Sequence, residues 1–344
     1  MFPLLLVIGI NYKYDPANLF DSKNDYEHRI ADFLLSGFNV TDITNMDERK
    51  LQQFFIEGMV QSPDVIVLGT SNSMYIDSDF FPGQKLINNS VSAATFNDFL
   101  SIYDLYQDKG YTPKKVILGI CPEMLNSPDN QFWFSLKDQY YDMMKKIGLN
   151  FNTSNNLSFS QKSNKLFEIV SLSYFQQSVV RAFNNEGMHP TKEKFNTGAT
   201  RVIDGSYNDG NYYTRKTGES IESSVKRLIN KPAPELRNFS EISTVQIQTL
   251  EHFVTYLQSN GVEVVFYLLV YHPVYFQYVS KQYNILKKNE DYLFRYAAER
   301  HIRVVGQNNP ENCDVSNIDF NDYSHLNKDG LMKVFKKSGE FSND

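Results

Sequence analysis

Continuous apolar runs alternate along the chain with segments whose apolar residues recur at helical spacing. The runs are rich in β-branched residues, which is typical of strands buried on both faces of a parallel sheet. They cover residues 64–68, 85–89, 115–120, 262–270 and 302–305. The helical segments cover residues 25–37, 47–60, 96–108, 161–184, 242–260, 275–300 and 328–337. Strands that alternate with helices predict a three-layer α/β/α fold around a doubly wound, mainly parallel sheet.

The alternation stops between residues 121 and 240. This stretch contains an aromatic segment at 130–134 and a tract at 204–213 that is rich in Gly, Asn, Asp and Tyr. Because turn formers mark surface excursions, we interpret 121–240 as an insertion in an α/β domain that spans 61–344. Open α/β sheets bind ligands at the carboxyl ends of their strands, so the insertion is expected near the active site. Residues 1–60 are expected to add an apolar segment and helices that pack on this core.

The first ten residues are apolar and allow two interpretations. They are too few to span a bilayer, which takes about 20 residues, and they lack the basic region and cleavage site of a secretory signal. The stretch is either a buried first strand or the C-terminal end of a membrane anchor that begins upstream. We favour the anchor because of a family resemblance described below.

Charge and cysteine content narrow the class of function. The chain has 344 residues, with 34 Lys and Arg against 40 Asp and Glu and a net charge of −6. Such a chain is unsuited to neutralising nucleic-acid phosphates, so no nucleic acid is expected as a partner. The two cysteines, Cys121 and Cys313, form no CxxC or Cys/His cluster, which argues against a disulfide framework and a zinc site. No metal and no cofactor is predicted.

Aromatic residues make up 14% of the chain, and Tyr accounts for 22 of them. Aromatic rings can stack on the apolar faces of sugars, but AT-biased coding is the explanation of the excess that we favour. The candidates for a sugar-facing surface lie in the insertion or after the strand at 262–270. They are Trp133, Tyr207, Tyr212, Tyr213, Tyr271 and Tyr275. The tract that begins at Asp204 fits either a sugar-binding loop or an ordinary turn.

The sharpest local signal is a buried strand that runs directly into Gly69-Thr70-Ser71. This order predicts that Ser71 lies at the carboxyl end of a central strand and at the start of the next helix. Backbone N–H groups can stabilise a developing oxyanion there. The same loop, through Ser73, would also fit a flavodoxin-like phosphate site, because helix N-termini bind anions.

A second signal, Asp322-Tyr-Ser-His325, comes just before the last predicted helix. A serine nucleophile needs a base to accept its proton, and that base needs a carboxylate to orient it. Asp322 and His325 supply both groups within one turn. A phosphate loop at Ser71 would leave this pair unexplained.

These two signals resemble the first and last blocks of the SGNH/GDSL hydrolase superfamily. The strand followed by Gly-Thr-Ser71 is similar to the first block, and Asp322-x-x-His325 is similar to the last. The resemblance implies a flavodoxin-like α/β/α fold and serine-dependent acyl-ester chemistry. Ser71 would be the nucleophile, His325 the general base and Asp322 the group that orients it.

Two further blocks resemble the parts of the superfamily that bind the oxyanion. Residues 88–95 are similar to the second block, with Ala93 in place of the glycine whose N–H points at the oxyanion. In the third block Cys121 replaces the asparagine that donates to the oxyanion. The resemblance therefore implies an oxyanion hole made by the N–H groups of Ser71 and Ala93, without the third donor.

The altered blocks, the insertion and the candidate anchor look more like a divergent branch that serves bacterial cell-surface polymers. That branch includes proteins of polysaccharide O-acetylation and teichoic-acid D-alanylation. The resemblance implies an esterase or acyltransferase for an acylated, O-acetylated glycan or cell-wall polymer, with a membrane acyltransferase as a second partner. It implies a location in the cell envelope, on the extracytoplasmic face with an N-terminal anchor; a cytoplasmic location is the alternative.

Four more residues are candidates for substrate binding. Asn72 and Asn89 lie in the first and second blocks, and Tyr271 and His272 follow the strand at 262–270, where the crevice should open. His272 fits equally a cap at the end of that strand. The missing oxyanion donor leaves a second hypothesis for the whole chain, a non-catalytic module that binds a cell-wall polymer or assists a membrane acyltransferase.

Overall fold

The fold is described from a computed structural model, which describes residues 2–14, 25–43, 46–126, 132–149, 175, 179, 188–193, 200–208, 220–229, 231–233, 235–236 and 238–339. The helices are α1 Phe2–Tyr14, α2 Asp25–Leu35, α3 Glu48–Gly58, α4 Phe96–Asp108, α5 Lys137–Lys146, α6 Ile221–Leu228, α7 Thr244–Ser259, α8 Pro273–Gln282, α9 Asn284–Glu299 and α10 Lys328–Lys337. The strands are β1 Asn39–Thr41, β2 Val65–Leu68, β3 Leu86–Asn88, β4 Lys115–Ile120, β5 His189–Thr191, β6 Thr200–Arg201, β7 Tyr207–Asn208, β8 Glu263–Leu268 and β9 Arg303–Val305.

A five-stranded parallel sheet forms the centre of the molecule, in the order β3-β2-β4-β8-β9. Its strands are the five predicted ones. All four residues of β2 are buried, as are five of six in both β4 and β8. Burial on both faces explains why these strands read as continuous apolar runs rather than as alternating ones. The predicted three-layer α/β/α fold is confirmed.

The side chains of each strand divide between two cores. Ile66 and Leu68 of β2 point into a large core with α2, α3, α4, α7, α8 and α9. Val65 and Val67 point the other way, into a smaller core with α10. This division follows from the two-residue period of a strand. All five strands of this sheet end at the same edge, which is where the candidate site lies.

A second, antiparallel sheet has the order β5-β1-β6-β7 and was not predicted. Its strands are two or three residues long. Two backbone hydrogen bonds join it to the rest of the molecule: the Asn88 N–H donates to the Asp204 carbonyl at 2.7 Å, and the Tyr207 N–H to that of Met74 at 2.8 Å. Residues 200–208 of the insertion therefore pack on β3 and on the turn that follows β2.

Two sequence expectations differ from the structure. The apolar N-terminal stretch belongs to helix α1, so its interpretation as a buried first strand is wrong. The single helix expected at 275–300 is two helices, α8 and α9, because Tyr283 has extended backbone angles between them. The helix predicted at 161–184 lies outside the described residues, apart from two isolated positions. Within the described chain, no helix is both long enough and apolar enough to cross a membrane.

Candidate active site

Ser71 begins a short 3-10 turn at the carboxyl end of β2. Thr70 caps this turn through its hydroxyl, which accepts from the Asn72 N–H, and its carbonyl accepts from the Ser73 N–H at 3.0 Å. The predicted position at the strand end is thus observed, but the element that follows is a 3-10 turn rather than a full helix. The turn directs Ser71 towards the crevice, and the residue remains partly exposed.

Glycine is required beside this turn at two positions. A Cβ atom at Gly69 or at Gly119 of the neighbouring strand β4 would collide with the Ser73 hydroxyl. Ser73 is 1% exposed, and within the described part of the chain its hydroxyl has no hydrogen-bond partner. The Gly in Gly-Thr-Ser and the Gly of β4 therefore serve the same purpose, which is to let the turn pack closely on the sheet.

The Asp322 carboxylate organises the turn that carries His325. Its Oδ1 accepts from the Ser324 N–H at 2.8 Å and from the His325 N–H at 2.7 Å. The turn is fixed from outside by the N–H of His272, which donates to the Tyr323 carbonyl at 3.0 Å. The Asp-x-x-His spacing therefore reflects a turn in which the Asp322 side chain accepts hydrogen bonds from the backbone N–H groups two and three residues later.

The fold brings Ser71, His325 and Asp322 together, although 254 residues separate the first two. Ser71 Oγ lies 2.8 Å from His325 Nε2, and His325 Nδ1 lies 2.8 Å from Asp322 Oδ2. Burial raises the pKa of Asp322, but hydrogen bonds from His325 and Ser324 outweigh it, so the net pKa is below the ordinary value. Because Asp322 is then an acceptor, His325 carries its proton on Nδ1 and Nε2 can accept from Ser71.

The segment with Ala93 lies beside the same turn. The Asn89 N–H donates to the Val67 carbonyl at 2.8 Å and the Val91 N–H to that of Gly69 at 3.0 Å. Ala93 is exposed and has a φ of 49°, in the left-handed region that favours glycine. The backbone thus keeps a conformation suited to the glycine of the second block, although the residue is Ala.

Cys121 comes directly after β4 and faces the same turn. Its Sγ lies 3.1 Å from Thr70 Oγ1 and 3.5 Å from Asn72 Nδ2. Burial raises the pKa of this thiol far above its usual range, so it remains protonated. Asn72, expected to bind substrate, instead directs its amide nitrogen inward to Cys121 and Thr70.

Asn89 is not brought to the crevice. It is fully buried, its amide donates to Gln52 at 2.6 Å and its carbonyl accepts from Tyr106 at 2.8 Å. Both ends of the side chain are satisfied within the core. We therefore assign Asn89 to packing beneath α3 and α4, in place of the substrate contact expected from sequence.

His272 and Tyr271 do lie beside the triad, but both are buried. His272 is the N-cap of α8: its Nδ1 accepts from the Val274 N–H at 3.3 Å, and burial lowers its pKa. This favours the capping interpretation over a substrate contact. Tyr271 is 0% exposed, and its hydroxyl has no hydrogen-bond partner among the described residues. Of the other aromatic candidates, the side chain of Tyr275 is also buried.

Of the remaining aromatic candidates, the structure describes only the side chain of Tyr207. The ring of Tyr207 packs against Arg201, whose guanidinium lies 5.0 Å from the ring centroid. Asp204 accepts from Ser78 and Ser206 in a buried turn, which favours the turn interpretation of that tract. The side chain of Trp133, and Tyr212 and Tyr213 entirely, lie outside the described residues.

Two acidic residues near the triad were missed by sequence reasoning. Glu123 lies in the 3-10 turn after β4, and Glu235 comes from the described end of the insertion. Burial raises the pKa of Glu123 to about 7, with a further increase from Glu235 and a decrease from His325. Burial also raises the pKa of Glu235. The position of Glu123 at a strand end could have marked it, whereas nothing in the sequence marks Glu235.

The described residues contain no group of three or more His, Cys, Asp or Glu side chains that could hold a metal ion. The arrangement at the sheet edge is instead that of an activated serine: a nucleophile, a base, and a carboxylate that orients the base. Such a set can form and break a covalent acyl intermediate without a cofactor.

Comparison with known proteins gave one family match. A search of curated proteins found no match to the chain. The family model, described as a protein of unknown function (DUF1574), matches residues 59–336. The match begins just before β2 and ends within α10, so it includes every strand of the parallel sheet and all three residues of the triad. The chain belongs to the DUF1574 family.

Proposed function

We propose that this protein is a serine-dependent acyl-ester hydrolase or acyltransferase of the SGNH/GDSL type. The observation that carries the proposal is the continuous hydrogen-bonded path from Ser71 Oγ through His325 to Asp322, with both links at 2.8 Å. A serine, a histidine and a buried aspartate at these distances form the constellation that activates a hydroxyl for attack on an ester. The path lies at the sheet edge where α/β proteins bind their ligands.

The reaction takes place in two steps. Ser71 Oγ attacks the ester carbonyl carbon while His325 Nε2 accepts the serine proton, and the collapse of the tetrahedral intermediate releases the alcohol, which takes that proton. Water or a glycan hydroxyl then attacks the acyl-serine while His325 Nε2 accepts its proton. The bond between the acyl carbon and Ser71 Oγ breaks, and His325 returns the proton to Ser71. Asp322 stabilises the imidazolium in both steps. The N–H groups of Ser71 and Ala93 are the proposed oxyanion donors.

The substrate class rests on the resemblance described above. We propose an acylated, O-acetylated glycan or cell-wall polymer as substrate, with a membrane acyltransferase as a second partner. The corresponding location is the cell envelope, on its extracytoplasmic face. Separation of membrane and soluble fractions from cells that produce the full-length protein tests this location, and recovery in the cytoplasmic fraction alone would contradict it.

The test of the chemistry is labelling with a fluorophosphonate, which reacts only with a serine that a base activates. We expect labelling of the parent protein at neutral pH, and none of Ser71→Ala. Asp322→Asn should react roughly 10³ to 10⁴ times more slowly because His325 loses the group that fixes its tautomer. Ser259→Ala, at an exposed serine near the end of α7, is the matched control and should label like the parent.

One observation favours a second candidate, the non-catalytic module. Cys121 stands where the superfamily has an oxyanion donor, and its thiol hydrogen-bonds with Thr70 at 3.1 Å. A folded parent protein that neither labels nor cleaves an acylated glycan would support this candidate and contradict the enzyme.

A further inference from the structure

Arg49 is a buried arginine whose guanidinium contacts the backbone of the segment that carries Ala93. It belongs to the first turn of α3 and is 5% exposed. Its Nε donates to Asp98 Oδ1 at 2.9 Å, and its Nη2 donates to the Ser92 carbonyl, also at 2.9 Å. Arginine is almost never fully buried unless it is paired. The ion pair with Asp98 accounts for the buried charge, and the contact with Ser92 directs part of it at the backbone.

The Ser92 carbonyl and the Ala93 N–H belong to the same peptide group. The described chain contains no cis peptide bond, and in a trans peptide the C=O and N–H bonds point in opposite directions. Because the carbonyl points to the buried guanidinium of Arg49, the N–H of Ala93 points away from it. The hydrogen bond from Arg49 therefore fixes the direction of the N–H that is the second proposed oxyanion donor.

The backbone on both sides of this peptide group is held as well. The Ser92 N–H donates to the carboxylate of Glu48, the residue before Arg49. The Thr95 N–H donates to Asp98 Oδ2 at 2.7 Å, so one aspartate holds both Arg49 and the end of the segment. An alanine in the left-handed region is strained, and such strain persists only where the surroundings fix the backbone. These contacts supply that constraint around Ala93.

The segment is also aligned with the strand that leads to the nucleophile. The Val91 N–H donates to the Gly69 carbonyl at 3.0 Å, and Val91 and Gly69 each lie two residues before a proposed oxyanion donor. Ala93 itself is exposed, so its backbone lies where a substrate can approach. Arg49 thus holds the segment from the protein side, opposite the exposed one.

The charge of Arg49 adds to its effect on orientation. A guanidinium keeps its charge throughout the pH range in which proteins fold. A hydrogen bond from a charged donor draws electron density towards the carbonyl oxygen, and hydrogen bonds in a chain polarise one another. The N–H at the other end of the Ser92–Ala93 peptide group then becomes a stronger donor. This matters here because Cys121 leaves the proposed oxyanion hole with two donors.

We infer that Arg49 is a positioning residue that orients and polarises the Ala93 N–H in the oxyanion hole. It acts through the peptide group between Ser92 and Ala93, without touching the substrate. The inference rests on the proposed function for the chemistry at Ser71. It adds a buried cation that strengthens the hole, where the superfamily uses the third donor that Cys121 lacks.

Hydrolysis of 4-nitrophenyl acetate by the parent and by Arg49→Met tests the inference. We expect kcat to fall roughly 10- to 100-fold and KM to change by less than about twofold, because the oxyanion exists only in the transition state. Arg49→Lys keeps the charge but lacks the planar fork that reaches two acceptors at once. Its kcat should lie between those of the parent and Arg49→Met.

Two comparisons separate this role from a general loss of structure. The pH dependence of kcat/KM should keep the parent's midpoint in Arg49→Met, because the hydrogen bonds of the triad do not involve Arg49. Lys146→Met is the matched control: it breaks the ion pair with another buried aspartate of α4, Asp104. This variant should lower the free energy of unfolding and leave kcat unchanged.

The outcomes distinguish this inference from the proposed function. A folded Arg49→Met variant with the parent's kcat would overturn the inference alone, and so would a loss that Lys146→Met shares or that a shifted pH profile explains. If Arg49→Met does not fold, Arg49→Lys decides: the parent's kcat overturns the inference, and a lower kcat at the same KM supports it. A parent that neither labels nor cleaves 4-nitrophenyl acetate would overturn the proposed function and this inference with it.

Discussion

Glu123 shows how a single buried carboxyl couples protonation to folding. Burial is the largest cause of its raised pKa, about 7 in the folded chain against an ordinary value of 4.5. Between these two values the folded state binds more protons than the unfolded state. The contribution of Glu123 to the free energy of unfolding therefore falls as pH rises from 4.5 to 7, and it is constant above 7.

We predict that Glu123→Gln stabilises the protein at pH 8 but not at pH 4.5. Glutamine matches the protonated carboxyl, so the variant avoids the cost of burying the charge, about 1–3 kcal/mol for a shift of this size. Urea denaturation of variant and parent at pH 4.5, 6 and 8 measures the difference. Glu299→Gln, at an exposed position of α9, should show no such trend, and an equal difference for Glu123→Gln at all three pH values would contradict the assignment.

At the scale of single residues, the sequence identifies the candidates that lie close together in the chain or directly after a recognisable strand. Asp322 and His325 lie in one turn, and Ser71 follows a recognisable strand, so all three could be named before the fold was known. Asn89 stands in an equally suggestive block, yet its side chain turns into the core to meet Gln52 and Tyr106. Side-chain direction after a strand depends on packing, and no pattern in the sequence fixes it.

The turn after β2 packs closely on two glycines, Gly69 at the end of β2 and Gly119 of β4. A Cβ atom at Gly119 would collide with the Ser73 hydroxyl and would also lie 3.2 Å from Ser73 Cβ and from the Gly69 Cα. Ser73 is the last residue of the turn that begins at Ser71. Crowding at Gly119 is therefore expected to move the turn that carries Ser71.

We predict that Gly119→Ala destabilises the protein by about 1–3 kcal/mol, the usual cost of overpacking, and slows fluorophosphonate labelling at Ser71. Most of the stability should return in the double variant Gly119→Ala/Ser73→Ala, since Ser73→Ala removes the nearest atom. Gly9→Ala in α1 is the control, because a Cβ atom at Gly9 would meet no other atom within 4 Å. Equal losses in the single and double variants would show that Ser73 is not the source of the strain.

At the scale of helices and strands, the sequence predicted best the bounds of those elements in which buried positions recur over several residues. The long strands β4 and β8 and the helices α4 and α10 lie within about two residues of their expected bounds. Two features escaped because tertiary contacts decide them. The break between α8 and α9 lies at Tyr283, whose hydroxyl accepts from the Ala233 N–H at 2.9 Å. The strands of the second sheet are too short to show any period.

For the molecule as a whole, a buried ion pair joins the two sheets. Arg201 of β6 is 1% exposed; it donates to the Glu48 carboxylate at the start of α3 at 3.2 Å and to the Gly205 carbonyl at 3.1 Å. Helix α3 packs on the large core, which lies against the parallel sheet. The insertion is thus fastened to the core by charge as well as by backbone hydrogen bonds.

We predict that Arg201→Met costs about 1–3 kcal/mol of unfolding free energy, because Glu48 and the Gly205 carbonyl lose hydrogen bonds from a buried guanidinium, whereas Arg49 and the Ser92 N–H remain beside Glu48. Lys226→Met is the matched control: it breaks the exposed pair between Lys226 and Glu222 and should leave the free energy of unfolding almost unchanged. Urea denaturation followed by circular dichroism measures both. Adding Glu48→Gln to Arg201→Met should recover part of the loss, since the carboxylate that has lost one of its two arginine partners is then replaced by a neutral amide. If Arg201→Met costs no more than the control, the ion pair does not fasten the sheets, and the hydrogen bonds at Asn88, Tyr207 and Ser78 hold them together with the apolar packing of Val40.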